Sequence, residues 1–127
     1  MNALELNAFE LNKQTFVKIC LDNNIHHIEI AYDFSDGDDG SVESTTVFDN
    51  QKEEIDIPFD VVDCHYSKGV FKCNFDDLVE EMTWTLLYSQ YPCLDDSYGT
   101  VIIHSDGSGN IDHNQRVTEV ENFYSKF

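Results

Sequence analysis

The sequence predicts an α+β domain in two layers: an antiparallel sheet of four or five strands with two helices packed on one face. Three observations predict it. Helical periodicity opens the chain and recurs past its middle, while the stretches after each helix alternate apolar and polar residues with the period of two of half-buried strands. The clear strand pairs turn on clusters of Asp, Gly and Ser, the chemistry of tight antiparallel connections. The chain has 127 residues, 41% hydrophobic and 13% aromatic, which suits one domain over residues 1–127 and argues against disorder. Helices segregated to one face of an antiparallel sheet bury both kinds of apolar surface in one core.

The elements follow in order. "NAFELNKQTFVKICLDNN" reads as a helix with Phe9, Phe16, Ile19 and Cys20 on one face and a potential break at Asn12. Asn23 and Asn24 end it, because asparagine tolerates the left-handed conformation beyond a helix terminus. In "HIEIAYDF", Ile28, Ile30 and Tyr32 alternate with Glu29, Ala31 and Asp33, a half-buried strand. After the acidic turn "SDGDDG", the Val- and Thr-rich "SVESTTVFD" is its partner. "EEIDIP" is a third, short strand that stops at Pro58, suited to a sheet edge. "VVDCHYSKGVFKC" turns at Ser67-Lys68-Gly69 and is a fourth element.

"NFDDLVEEMTWTLLYSQYP" is the stronger helix. Asn74 is its N-cap, and Asp76, Asp77, Glu80 and Glu81 lie toward the positive end of its dipole. Phe75, Leu78, Val79, Met82, Leu86 and Tyr88 form its apolar stripe, and Pro92 marks its end. The C-terminal stretch reads as one hairpin, with strands Thr100–His104 and Asn110–Glu121 joined by "SDGSGN".

Charge narrows the partners. Twenty-five acidic against seven basic residues give a net charge of −18. Such a chain repels nucleic acid and anionic lipid, and its few lysines and its arginine are scattered singly, without the cluster a phosphate-tracking groove needs. Basic protein surfaces and cations remain as partners. No apolar run approaches the ~18 residues of a membrane helix. The acidic start "MNALELNAFELNK" does not read as a secretory signal, so a cytoplasmic location is expected. There Cys20, Cys64, Cys73 and Cys93 are expected as free thiols; Cys64, His65 and Cys73 fit no compact zinc spacing.

The chemistry-bearing residues point away from catalysis. In "YDFSDGDDGSVE", placing Gly40 at the sixth position of a calcium loop puts Ser35 first, Gly37 third and Thr46 twelfth; placing Gly37 there puts Tyr32 first. Neither register supplies the required ligands, and strands replace the flanking helices. His104, Asp106, Asp112 and His113 are the right types for a metal or for acid–base work. Alternation sends the neighbours Asp112 and His113 to opposite faces, so the group reads as turn residues with a solvent-facing histidine. No nucleophile with a paired base and no phosphate-cradling glycine loop is present. No catalytic residue, metal site or cofactor is expected.

The acidic residues are more informative. From Glu29 to Asp63 the chain carries twelve carboxylates against a single base, Lys52. In a strand-rich segment these are expected to stand in rows off one sheet face, ~6.5–7 Å apart along a strand. DNA presents a charge every ~1.7 Å of its axis. The match is loose, but the field is that of a nucleic-acid backbone. The expected partner-binding residues are Asp33, Asp36, Asp38, Asp39, Glu43, Glu53, Glu54 and Asp56.

Three places in the chain resemble an uncharacterised bacterial domain family of unknown function. They are the turn Gly37-Asp38-Asp39-Gly40 with Val42-Glu43, the segment Tyr98-Gly99-Thr100, and the terminal Asp112-His113-Asn114-Gln115-Arg116. The resemblance runs from about Asn12 onward. It departs over Phe59 to Cys73, at Asp39 where the turn often carries serine, and at Gln115 where glutamate is usual. It implies an α+β domain of prokaryotic or mobile-element origin and transfers no catalytic residue.

The expected function is a small acidic protein-binding module. Its sharpest form is a nucleic-acid mimic that occupies the basic surface of a nucleic-acid-binding enzyme, as an anti-CRISPR or a nuclease immunity protein does. The alternatives are a metal-dependent or enzymatic domain built on the Asp/His turns, and an accessory protein with no ligand of its own. Calcium separates one alternative at once. A micromolar site at "SDGDDG" would raise stability by about 2.7 kcal/mol at a hundredfold excess over its dissociation constant. Thermal unfolding is expected to be unchanged by calcium; a rise of that size, abolished by Asp36→Asn with Asp38→Asn, would refute the turn reading.

Overall fold

The computed structural model describes residues 2–35, 40–91, 93–116 and 121–127, apart from the Glu121 side chain. In chain order the elements are α1 (Ala3–Asp22), β1 (Ile25–Phe34), β2 (Ser41–Asp49), β3 (Glu54–Ile55), β4 (Val61–Tyr66), β5 (Gly69–Asn74), α2 (Phe75–Gln90), β6 (Ser97–His104), β7 (Gly109–Gln115) and β8 (Glu121–Lys126). The two helices and the antiparallel pairing are as the sequence predicts. The strand count is not. The main sheet has six strands, in the order β3-β2-β1-β6-β7-β8, and β4–β5 form a separate two-stranded ribbon.

Both helices begin on asparagine. The Asn2 side chain accepts the Glu5 N–H, and its amide donates to the Glu5 carboxylate, so α1 starts one turn before the predicted residue. Asn74 accepts the Asp77 N–H at 2.9 Å, as predicted. Asn23 caps the end of α1 and Asn24 takes the left-handed conformation, φ 56°. Asn12 does not break α1. It is buried, its amide donates to the His65 carbonyl at 2.8 Å, and its carbonyl accepts the His65 N–H at 2.7 Å. This side chain gives β4 the two backbone bonds that a neighbouring strand would supply, and so ties the ribbon to α1.

The strand β1 runs through the middle of the sheet. Ile28, Ile30, Tyr32 and Phe34 are buried on its inner face. They share one core with Phe9, Phe16, Ile19 and Cys20 of α1, with Phe75, Leu78, Val79, Met82, Leu86 and Leu87 of α2, and with Val101, Ile103 and Ile111 of β6 and β7. Phe16 stacks on Phe75, ring centroids 5.8 Å apart, where the helices meet. Tyr88 was expected in this stripe but is exposed. Leu87 takes the inward place, one residue earlier in the turn. Pro92, expected to end α2, lies outside the described residues; Tyr91, the C-cap, is extended.

The third short strand sits at the sheet edge, as Pro58 suggests, pairing with β2 through Val47↔Ile55 and Phe48↔Glu54. The C-terminal reading needs correction. What reads as one long strand is two, β7 and β8, paired through His113↔Phe123 and Asp112↔Tyr124. Among the described residues no helix is long and apolar enough to cross a membrane.

Removing the Asn12 amide strands two partly buried backbone groups of His65, at roughly 1–3 kcal/mol for each group left without a partner. Asn12→Ala is expected to lower unfolding stability in urea by about 2–3 kcal/mol. A loss under about 0.5 kcal/mol would mean that the ribbon docks without this tie.

Candidate functional site

The predicted acidic residues divide into groups. Asp36, Asp38 and Asp39 lie outside the described residues. Asp33 is on the outer sheet face, where Arg116 grips both its oxygens at 2.8 Å and lies 4.5 Å over the Tyr98 ring. The Arg116 hydrogen bonds hold the Asp33 carboxyl below the usual carboxylate range. Its charge is thus met within the chain.

Glu43 is the extra residue of a β-bulge. The β1–β2 ladder passes from Ala31↔Ser44 to Tyr32↔Val42 and leaves it unpaired and exposed. Glu53, Glu54 and Asp56 are exposed along and beside the β3 edge. The Asp49 carboxylate shapes the turn before them by accepting the N–H groups of Gln51 and Glu53.

Two carboxylates that the sequence suggested only as helix-dipole partners join this flank. Asp76 and Glu80 of α2 line a hollow of about 440 Å³ with the start of β2 and Ile57. Asn74 as N-cap fixes the rotation of α2 that presents them there. The flank therefore carries Glu53, Glu54 and Asp56 along the edge, and Asp76 and Glu80 at the hollow. The expected rows of carboxylates on a sheet face do not form. Ala31 separates Glu29 from Asp33 along β1, and their cross-strand neighbours are the uncharged Thr46, Ile102, Ser41 and Tyr98. Like charges directly opposite one another across strands repel, so the carboxylates collect at an edge, where water reaches them from more sides.

The Asp/His group is not assembled as one site. His104 pairs with His27 on the outer face, where the rings of His26, His27 and His104 lie within 6.3 Å of one another. Asp106 accepts from Ser108 in the β6–β7 turn. Asp112 is exposed and bonded by Asn122. Among the described residues no three His, Cys, Asp or Glu side chains converge as metal ligands.

Asp112 and His113 do point to opposite faces, but not all of the group are surface residues: His113 is 1% exposed, on the inner face. His113 Nδ1 is 2.5 Å from the Tyr32 hydroxyl, and its ring stacks on Tyr91 at 4.0 Å. Tyr32 reaches it by crossing β6 at Gly99. A Cβ there would lie 2.6 Å from the hydroxyl and closer still to the Asp112 carbonyl. The segment Tyr98-Gly99-Thr100 thus has a physical role: the glycine is the gap through which a tyrosine on β1 meets a histidine on β7.

Compared with known proteins, residues 8–127 match the model of a family of unknown function (DUF6878). No curated protein and no solved structure matches the chain.

Burial lowers the His113 pKa and keeps the ring neutral. In the unfolded chain it titrates near its ordinary value, about 6.5. The stability from the neutral ring is fully present above that pH and is lost as pH falls toward the depressed folded value. Between about pH 7.5 and 5.5 the wild type is expected to lose more stability than His113→Phe, whatever the offset between them. His27 shifts in the same direction, so the readout is the difference in slope. Parallel urea-derived profiles would show that His113 is not held neutral.

Proposed function

The chain belongs to this family of unknown function, which brings no activity with it, and we propose that it is a small acidic module that binds a basic protein surface. In its sharpest form it mimics nucleic acid and inhibits a nucleic-acid-binding enzyme, as anti-CRISPR and nuclease immunity proteins do. One observation carries this reading: Glu53, Glu54 and Asp56 line an exposed sheet edge that continues into the Asp76 and Glu80 hollow, within a chain of net charge −18.

Clustered exposed carboxylates steer a basic partner toward them and raise the encounter rate, an effect screened over ~8 Å at physiological ionic strength. Charge of this kind sets rate and choice of partner more than strength of binding. Strength needs desolvated apolar anchors, and Phe59, 91% exposed, follows Asp56 by three residues. Val61, also exposed, extends this apolar group beside Asp60 and Asp63. A basic surface with an aromatic-accepting hollow is the complement of this arrangement.

The protein immobilised and exposed to host lysate tests the reading, with wild type run beside a Glu53→Lys, Glu54→Lys, Asp56→Lys variant. Wild type is expected to retain basic nucleic-acid-binding proteins at low salt, to release them at high salt, and to lose them to added duplex DNA. The variant, folded because these positions are solvated, is expected to associate at least about tenfold more slowly with each purified partner. Partners indifferent to salt, to DNA and to the reversal would overturn the proposal.

A further inference from the structure

At the opposite edge of the main sheet from the acidic flank, a hollow of about 690 Å³ opens between the end of α2 and the β7–β8 pair. That volume falls within the range of small-molecule sites. Its described walls include Tyr91, Cys93, His113, Gln115, Asn122 and Phe123, and none of its described lining residues is Asp, Glu, Lys or Arg. In a chain where 25% of residues are charged, a concavity whose described lining is uncharged is a marked departure.

The buried histidine in its wall is fixed in position and in proton. Tyr91 stacks on one side of the ring, and Tyr32 holds Nδ1. The Tyr32 hydroxyl has no other hydrogen-bond partner among the described residues. A buried hydroxyl proton left without an acceptor is costly, so Tyr32 donates to Nδ1 and the imidazole proton resides on Nε2. Nε2 lies on the ring edge away from the Tyr32 hydroxyl, and the ring is part of the wall of the hollow.

The Gln115 amide completes the pattern. Gln115, two residues from His113 and on the same face, gives its NH₂ to the Asp95 carbonyl, whereas Asn122 shares the outer face with its partners Asp112 and Asn114. The Gln115 carbonyl oxygen is an acceptor. The hollow thus combines aromatic walls, one N–H donor fixed by a tyrosine, and an amide oxygen that accepts.

We propose that this hollow binds a small, flat, uncharged heterocycle that presents a carbonyl to His113 Nε2–H and an adjacent ring N–H to the Gln115 amide oxygen. A lactam or cyclic imide has this edge. A carboxylate or phosphate on the same ring is disfavoured, because the described walls offer it no cation and the chain is strongly acidic. The inference does not depend on the acidic flank.

The test uses the full chain labelled with ¹⁵N. Uracil and 2-pyridone are titrated while the His113 ring nitrogens are followed by NMR. Before addition, Nε2 is expected to carry the proton. Both probes are expected to shift that signal saturably, while 1,3-dimethyluracil, lacking the N–H, and orotate, bearing a carboxylate, bind at least about tenfold more weakly, equivalent to about 1.4 kcal/mol. His113→Phe keeps the stack and removes the donor, and is expected to weaken uracil by a similar factor. A proton on Nδ1, no saturable shift with either probe, or equal affinity in a folded His113→Phe would each overturn the proposal. Should that variant fail to fold, the wild-type tautomer and the dimethyluracil comparison decide it.

Discussion

Tyr32 and His113 meet across a missing side chain, and three strands are held in register by that meeting. β1, β6 and β7 align Tyr32, Gly99 and His113 in one row. A slip of one residue in either ladder would turn the row to the wrong face, leaving a phenol or an imidazole in the core without its partner. The neighbouring rows, Ile30 with Val101 and Ile111 and Ile28 with Ile103 and Gly109, are apolar and less selective. The polar row therefore chooses among registers that the hydrophobic effect alone would treat almost alike. The hollow inherits its geometry from the same contact, since the residue that selects the register also forms part of its wall.

Much of the fold was legible because its signals are local. The alternation in "HIEIAYDF", the stripe from Phe75 to Leu86, the Asn74 cap and the edge proline each act within a few residues, and each element is present. The failures are also physical. No glycine or proline interrupts "RVTEVENFY", so nothing in the sequence separates β7 from β8. Asn12 resembles a helix breaker because asparagine competes locally with the backbone; its partner, His65, is distant in sequence and cannot be seen by periodicity. Asn2 and Glu5 form a capping pair that precedes the apolar stripe, so the stripe alone does not reveal where α1 begins.

The acidic flank was half legible. Composition located the charge in the segment from Glu29 to Asp63, but not its arrangement, because a carboxylate's position depends on strand order and on which acids already have a cation. Asp33 faces Arg116, and Asp63 faces Lys72 at 2.6 Å. Asp76 and Glu80 reach the flank only through the docking of α2. For His113 the available signal was alternation itself. Counting outward from Ile111 puts residue 113 on the buried face, and a buried histidine implies a partner.

The long connection between β1 and β6 has a kinetic consequence. Ile28 pairs with Ile103, although four further strands and a helix are made between them. The β1–β2 hairpin and the β6–β7–β8 meander close short loops and can form early; the seam at the centre of the sheet closes a loop of most of the chain. Such non-local pairing slows folding. During synthesis β1 has no partner on its β6 side until β2 to β5 and α2 have been made. The rate-limiting barrier is thus expected at the β1–β6 seam, so that substitutions there slow folding while those in the β4–β5 ribbon mainly speed unfolding.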